Sequence, residues 1–438
     1  MRKISFGLLE GKSIYNYGFL FFLLGVFFLP STIFLGILFL IPALLISSFF
    51  LHKKNYFKDY WNYPYLFFGI LILLSAILQN FILSNNYFEI WDPNLSLIGL
   101  ANWIPFIWIF WAVQPYLNSN PKRRTFSITL IIGTFPVLVS GFGQYFFNWN
   151  GPFETLNGLI IWYQRPIENP GGLSGLFSNQ NYAGSWLNFV WPFCLALILE
   201  KGNNIFRKTA AFSFLISTGV AAFLTFSRNA WLGLITSLPI VTGKKGVKFF
   251  LPLVTIAVMI LFFAFSPIFN GELQNNLRNL FPQKIFLEFN DQGYQGLDVT
   301  RLEIYKSALN LIKENPIFGT GAASFPNVFF LETNFWKGHS HNLLLELSIS
   351  YGLPSAFCFF IVTSNILYLS SKKIFINQKV SNLKLFDRAI WSALFFFLLS
   401  QLADIQYFDG KISLITWILI ASLKLIILEN GKEKLDKQ

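Results

Sequence analysis

Residues 338–369 read GHSHNLLLELSISYGLPSAFCFFIVTSNILYL, a short polar segment from Gly338 to Asn342 running directly into an apolar segment from Leu343 to Leu369. About 20 apolar residues in a helix cross the hydrocarbon core of a bilayer. A histidine at the edge of such a helix is costly unless it has a partner or a task. Two of the three histidines in the chain, His339 and His341, stand at this edge.

Working outward, runs of the same kind recur near 14–29, 31–51, 63–83, 97–117, 126–148, 181–199, 209–225, 228–242, 247–266, 342–369, 389–407 and 411–428. With 54% hydrophobic and only 12% charged residues, the chain has the composition of an all-α polytopic membrane protein of about twelve transmembrane helices. A net charge of +12 would point to nucleic acid in a soluble protein. Here the basic residues fall in short clusters between apolar runs, so they report topology, and no nucleic-acid partner is expected.

Most of the 33 lysines and arginines lie on one side if the N-terminus is cytoplasmic: Arg2, Lys3 and Lys12; Lys53, Lys54 and Lys58; Lys122, Arg123 and Arg124; Lys201, Arg207 and Lys208; Lys244, Lys245 and Lys248; Lys372, Lys373, Lys379, Lys384 and Arg388; and Lys424, Lys432, Lys434 and Lys437. That alternation predicts both termini in the cytoplasm. Residues 1–266 then hold helices one to nine, 267–340 a large loop on the far side with short helices of its own, and 341–438 the last three helices and the tail. The basic N-terminus resembles the start of a signal peptide, but no small-residue cleavage site follows, so the first run is expected to remain as a helix. Cys194 and Cys358 lie inside apolar runs and predict no disulfide framework.

Basic residues on the far side are not explained by topology. Ser227-Arg228, Thr300-Arg301 and Ser340-His341 share one pattern, an N-cap residue followed at once by a cation or a histidine. A cation at a helix N-terminus adds to the partial positive charge already there, which suits a bound anion. Within the far loop, Thr300-Arg301-Leu302-Glu303 reads as a capping box, with Leu302, Tyr305, Leu309 and Ile312 as the apolar face and Asn315-Pro316 as the stop. Each site residue also has a plain alternative. Arg228 can snorkel to the interface, Arg301 can pair with Asp298, Glu303 or Glu332 on a wet surface, and His341 can be a satisfied interfacial histidine. The His-x-His spacing invites a metal, but on a helix residues i and i+2 point apart, and no second cluster supplies ligands.

Four stretches carry a family resemblance: GLFSNQNYAGSWL at 175–187, TFSRNAWLGL at 225–234, RLEIYKSALNLIKENPIFGTG at 301–321 and HSHNLLLELSISYGLP at 339–354. In order and spacing they resemble the O-antigen ligase and polymerase family across roughly 175–355. The ligase signature is met at His341, Asn342 and Gly352, whereas its last position, Gly, Thr or Tyr in the family, is Ser355 here, which leaves ligase and polymerase both open.

The resemblance implies an enzyme of the bacterial inner membrane that moves a glycan from undecaprenyl diphosphate to an acceptor hydroxyl on the periplasmic face, with lipid A core or a growing glycan as acceptor and membrane lipids around it. It implies His341 as the base and Arg228 and Arg301 as diphosphate ligands, with Arg165 and Lys337 as further contacts. Asn342 would orient the imidazole or sugar, and His339 is a loop neighbour. The expected reaction inverts the anomeric carbon and uses no metal and no cofactor, the arginines taking the metal's role. A small-solute transporter, of bicarbonate type, is the competing class. Against it, the two halves share no matching interrupted helices, and Asp404, near the outer end of a late span, is the only acidic residue well inside one.

Overall fold

An apolar run of membrane length satisfies its backbone by forming a helix, and among the described residues the apolar runs of this chain do so. A computed structural model describes residues 3–52, 55–81, 91–167, 171–202, 204–266, 271–279, 299–376 and 384–429. Arg2, Lys53, Lys54, Lys379 and Lys432, Lys434 and Lys437 of the expected cytoplasmic segments lie outside the described residues, as do most of loop 84–96 and positions 280–298 of the far loop.

The helices are α1 (Lys3–Phe28), α2 (Ile33–Ile46), α3 (Tyr63–Phe81), α4 (Asn94–Gly99), α5 (Ile104–Ala112), α6 (Gln114–Leu117), α7 (Asn120–Gly133), α8 (Phe135–Phe147), α9 (Gln180–Leu199), α10 (Ile205–Leu224), α11 (Arg228–Phe265), α12 (Glu272–Asn279), α13 (Arg301–Glu314), α14 (Phe325–Thr333), α15 (Leu343–Tyr351), α16 (Leu353–Ser371), α17 (Lys384–Ser400) and α18 (Gly410–Leu428). Seven described stretches are long and apolar enough to cross a membrane, and Ser13–Phe28 is a shorter apolar one. The protein is an all-α polytopic membrane protein. Among the described residues the departure from helix is a small antiparallel hairpin, β1 (Phe153–Thr155) with β2 (Ile160–Trp162), pairing Phe153 with Trp162.

Two compact units divide the chain: Met1–Pro136 with Arg301–Gln438, and Val137–Thr300. In the first, α18 is the central helix, packed against α5, α16 and α17. It is buried on nearly every side, as a helix apolar all round should be. Its Trp417 is fully buried among Tyr65, Phe106, Phe110 and Phe359, and its indole N–H donates to the Tyr407 hydroxyl at 2.8 Å.

The run expected to be continuous over 342–369 is broken at Gly352, whose φ is +86°. The break is built into the motif. Leu353 N–H donates to Pro316 O at 2.8 Å, and Thr320 and Gly321 N–H donate to Ile349 O at 2.8 and 3.1 Å, so the chain from Pro316 to Gly321 lies against the interrupted helix. A β-carbon on Gly352 would run into the Ile317 carbonyl, and one on Gly319 into the Ile349 carbonyl. In lipid, carbonyls freed by such a break need donors. Ser75 and Ser355 hydroxyls both donate to Tyr351 O at 2.9 Å, and the Gln79 amide donates to Gly319 O and Ser350 O at 3.1 and 3.0 Å.

Two expectations are corrected. The helix expected to run to 407 ends at Ser400, because Gln401, Asp404 and Gln406 bond one another and form a polar turn before α18. On α13 the buried positions are Ile304, Ser307, Ala308, Leu311 and Ile312, whereas Leu302 and Leu309 are exposed. Exposed apolar side chains are common, and hydrophobicity alone does not mark which face packs.

The second unit packs α9 against α10 and α11. Its core joins Leu138, Leu173, Leu187, Leu224 and Ala230. Gly243, at φ +68°, interrupts α11 where the sequence separates two spans.

Candidate active site

Asn342 shapes the local chain. Its side-chain oxygen accepts from Leu344 and Leu345 N–H at 3.0 and 3.2 Å, making it the N-cap of α15. Its amide donates to Leu402 O at 3.0 Å, and Leu343 N–H donates to Gln401 O at 2.8 Å. The cap is therefore Asn342, not Ser340, and it stitches the start of α15 to the turn after α17. Both polar ends of Asn342 are occupied by this task, so its role is to hold the loop. Ser340 is fully buried, with its N–H donating to Glu346 at 2.8 Å.

His341 consequently precedes the helix, in the left-handed region at φ +54°. Its N–H donates to His339 Nδ1 at 3.1 Å, and its own Nδ1 lies 2.7 Å from Asp404 Oδ1. A carboxylate accepts, so Nδ1 carries the proton and the lone pair of His341 is on Nε2, which has no hydrogen-bond partner among the described residues. Asp404 is braced in turn: Gln406 Nε2 donates to Oδ2 at 2.8 Å, and Gln401 Nε2 donates to Gln406 Oε1 at 2.8 Å. Burial pushes the Asp404 carboxyl up, but the His341 hydrogen bond and the charges of His341, His339 and Arg301 outweigh it and hold the group below its ordinary value. Burial, with repulsion from His341 second, pushes His339 down to about 4.

The exposed Arg301 is the first residue of α13, which packs against α15, and it has no ion pair among the described residues. Its charge reaches Asp404. Lys337 is half-buried in the same loop as His339. Thus His341, His339, Asn342, Lys337 and Arg301 belong to the first unit. Arg228, exposed at the first position of α11 after Ser227, and Arg165, exposed in the loop before α9, belong to the second.

Asp404 is the residue missing from the sequence-based set. His339, His341 and Asp404 bring ligand atoms within 4.8 Å of one another, a donor set that suits zinc. The helical argument against a metal therefore does not apply here, since neither histidine is on a helix. The 2.7 Å contact between His341 and Asp404 is a hydrogen-bond length. A tetrahedral ion bridging the same two atoms would hold them farther apart, with metal–ligand bonds of ~2.0 Å each.

Residues 210–360 match the family model described as O-antigen ligase. Over that stretch the chain is similar to the O-antigen ligase family. A search of the curated proteins returned no match. The matched stretch contains Arg228, Arg301, His341, Asn342 and the broken helix at Gly352, whereas Asp404 lies beyond it. Glycan transfer of the O-antigen ligase or polymerase type is the activity this family carries. The supported imidazole with an open Nε2 is a group suited to it.

Proposed function

We propose that this protein is an inverting glycan transferase of the bacterial inner membrane, with both termini cytoplasmic, that transfers a glycan from undecaprenyl diphosphate to an acceptor hydroxyl in the manner of an O-antigen ligase. The observation that carries this is the 2.7 Å bond from His341 Nδ1 to Asp404, which leaves Nε2 to act as a base. The acceptor hydroxyl gives its proton to Nε2 as its oxygen attacks the anomeric carbon. The bond from that carbon to the diphosphate oxygen breaks, and undecaprenyl diphosphate leaves with the electron pair. A single displacement inverts the configuration. Asp404 stabilises the imidazolium that forms, and Arg301 with Lys337, in the same unit, neutralises the leaving diphosphate. His339 and Asn342 hold the loop that presents His341, and neither metal nor cofactor takes part.

The test is transfer from extracted lipid-linked glycan by the full-length protein in lipid nanodiscs. His341→Ala and Arg301→Ala should lose product while remaining folded, and a chelator should leave the wild type unchanged. Wild-type turnover in His341→Ala would overturn the mechanism. In cells lacking the gene, lipid-linked polymer accumulating without surface chains identifies a ligase, whereas single repeats still attached to the surface identify a polymerase.

A further inference from the structure

The second unit contains a cavity of about 410 Å³, of whose lining only Arg165 is a candidate diphosphate contact. Small-molecule sites span roughly 300–1,000 Å³, so this space suits a sugar residue better than a lone ion. Its described wall is made by Arg165 to Ile167, by residues between Gly171 and Asn179, and by Gln180 and Asn181 at the start of α9, with Gln144 behind. The loop is fixed from behind by Gln144, whose amide donates to Arg165 O and Ser174 Oγ at 2.8 and 2.9 Å, and whose carbonyl accepts from Ser174 and Gly175 N–H at 2.8 and 3.0 Å. Gln180 Oε1 accepts from Gly172 N–H, and Asn179 Oδ1 accepts from Asn181 N–H at 2.7 Å.

With their oxygens engaged, these amides leave Gln180 Nε2 and Asn179 Nδ2 without a hydrogen-bond partner among the described residues, beside the Ser178 hydroxyl and the Arg165 guanidinium. No carboxylate is among the described residues of the wall. A rigid, donor-rich recess matches the many acceptor oxygens of a sugar. The loop is also tied to the corner that ends in Arg228: Leu173 N–H donates to Leu224 O at 2.9 Å, and a β-carbon on Gly172 would strike the Thr225 carbonyl.

Resting on the glycan-transfer function proposed above, we infer that this cavity is a glycan subsite, binding a sugar of the lipid-linked donor through Ser178, Asn179, Gln180 and Arg165. The segment GLFSNQN at 175–181 thereby acquires a ligand. Arg165 stands at the cavity and favours sugars that carry an acidic or phosphorylated substituent.

The test measures binding to the full-length protein in nanodiscs, using the free oligosaccharide released by mild acid from the cell's extracted lipid-linked glycan, with inorganic pyrophosphate as a second probe. Ser178→Trp fills the cavity from an exposed position, and Gln180→Glu keeps the acceptor for Gly172 N–H while removing the donor. Both should weaken oligosaccharide binding at least tenfold, whereas His341→Ala should bind it as wild type does. Equal binding by wild type and both variants, or no binding by wild type, overturns the subsite. Loss of pyrophosphate binding alone in the variants makes the cavity an anion site and also overturns it. Because binding is read without turnover, the subsite can fail while His341→Ala still abolishes transfer, and the converse is equally visible.

Discussion

At the scale of the residue, Asp404 and His341 act as one unit. The carboxylate fixes which nitrogen of the ring carries the proton, and Gln406 fixes the carboxylate. Asp404→Asn preserves size but lets the amide compete for either tautomer and removes the charge facing the imidazolium. Turnover should fall by roughly 10³–10⁴-fold, as when a triad carboxylate is neutralised, with donor KM little changed. A loss confined to KM would place Asp404 in binding instead. His339 gives a second prediction, from its value of about 4. An unfolded histidine takes up a proton from about pH 6.5 downward. The folded state takes it up only near 4, so folding loses stability as pH falls through that window and keeps it in full above. The melting temperature of the wild type in detergent should therefore drop more steeply between pH 6.5 and 4.5 than that of His339→Gln; parallel curves would sink the assignment. His341 was legible because its type, depth and neighbours are local. Asp404 was not, since its partner lies 63 positions away and periodicity places it in a membrane span.

At the scale of the element, the interrupted helix from α15 to α16 presents the candidate site. The motif glycines Gly319 and Gly352 allow the backbone from Pro316 to Gly321 to approach the break, and Ser75, Gln79 and Ser355 supply donors to the carbonyls there. Gly352→Ala adds a β-carbon where the Ile317 carbonyl sits and forces φ +86° on a residue that disfavours it. A cost of about 1–3 kcal/mol is expected from the backbone strain, read as lower thermal stability in detergent together with lost transfer. A Gly352→Ala protein as stable and active as wild type would show that the break is incidental. The Ser355 departure from the ligase signature also becomes intelligible here. Its hydroxyl reaches the Tyr351 carbonyl, a bond that a threonine at the same position could make, so the difference carries little information about the acceptor. Sequence spacing located this element well but misjudged its start. Ser340 and Asn342 are both good caps, and only the long-range bond from Asn342 to Leu402 shows which one the chain uses.

At the scale of the whole molecule, the same residue can serve topology and architecture. Arg123 is among the cations expected on the cytoplasmic side, yet it is fully buried, and its guanidinium forks onto Asp387 at 2.7 and 3.1 Å and onto Glu429 at 2.9 Å on both oxygens, with the Leu117 carbonyl as a further acceptor. Lys424, also buried, bonds Asp59 and Gln114, joining α18 to the segment before α3 and to α6. The positive clusters predict which side these residues lie on but not that they are interior, because a sequence shows charge without showing what surrounds it. Apolar burial contributes little to helix association in lipid, where tails are as apolar as leucine, so paired polar groups carry more of the specificity. Arg123→Met leaves two carboxylates facing each other without a cation, and breaking a buried pair from one side costs about 3–5 kcal/mol. That variant should lose most of its folded yield in membranes. The triple variant Arg123→Met, Asp387→Leu, Glu429→Gln removes the orphaned charges and should recover yield, with transfer activity returning in parallel because these residues hold α7, α17 and the end of α18 rather than the reacting groups. If the single variant folds as well as wild type, the cluster does not hold the fold together; if the triple variant folds but cannot transfer, the cluster also shapes the candidate site through α17 and the Asp404 turn that follows it.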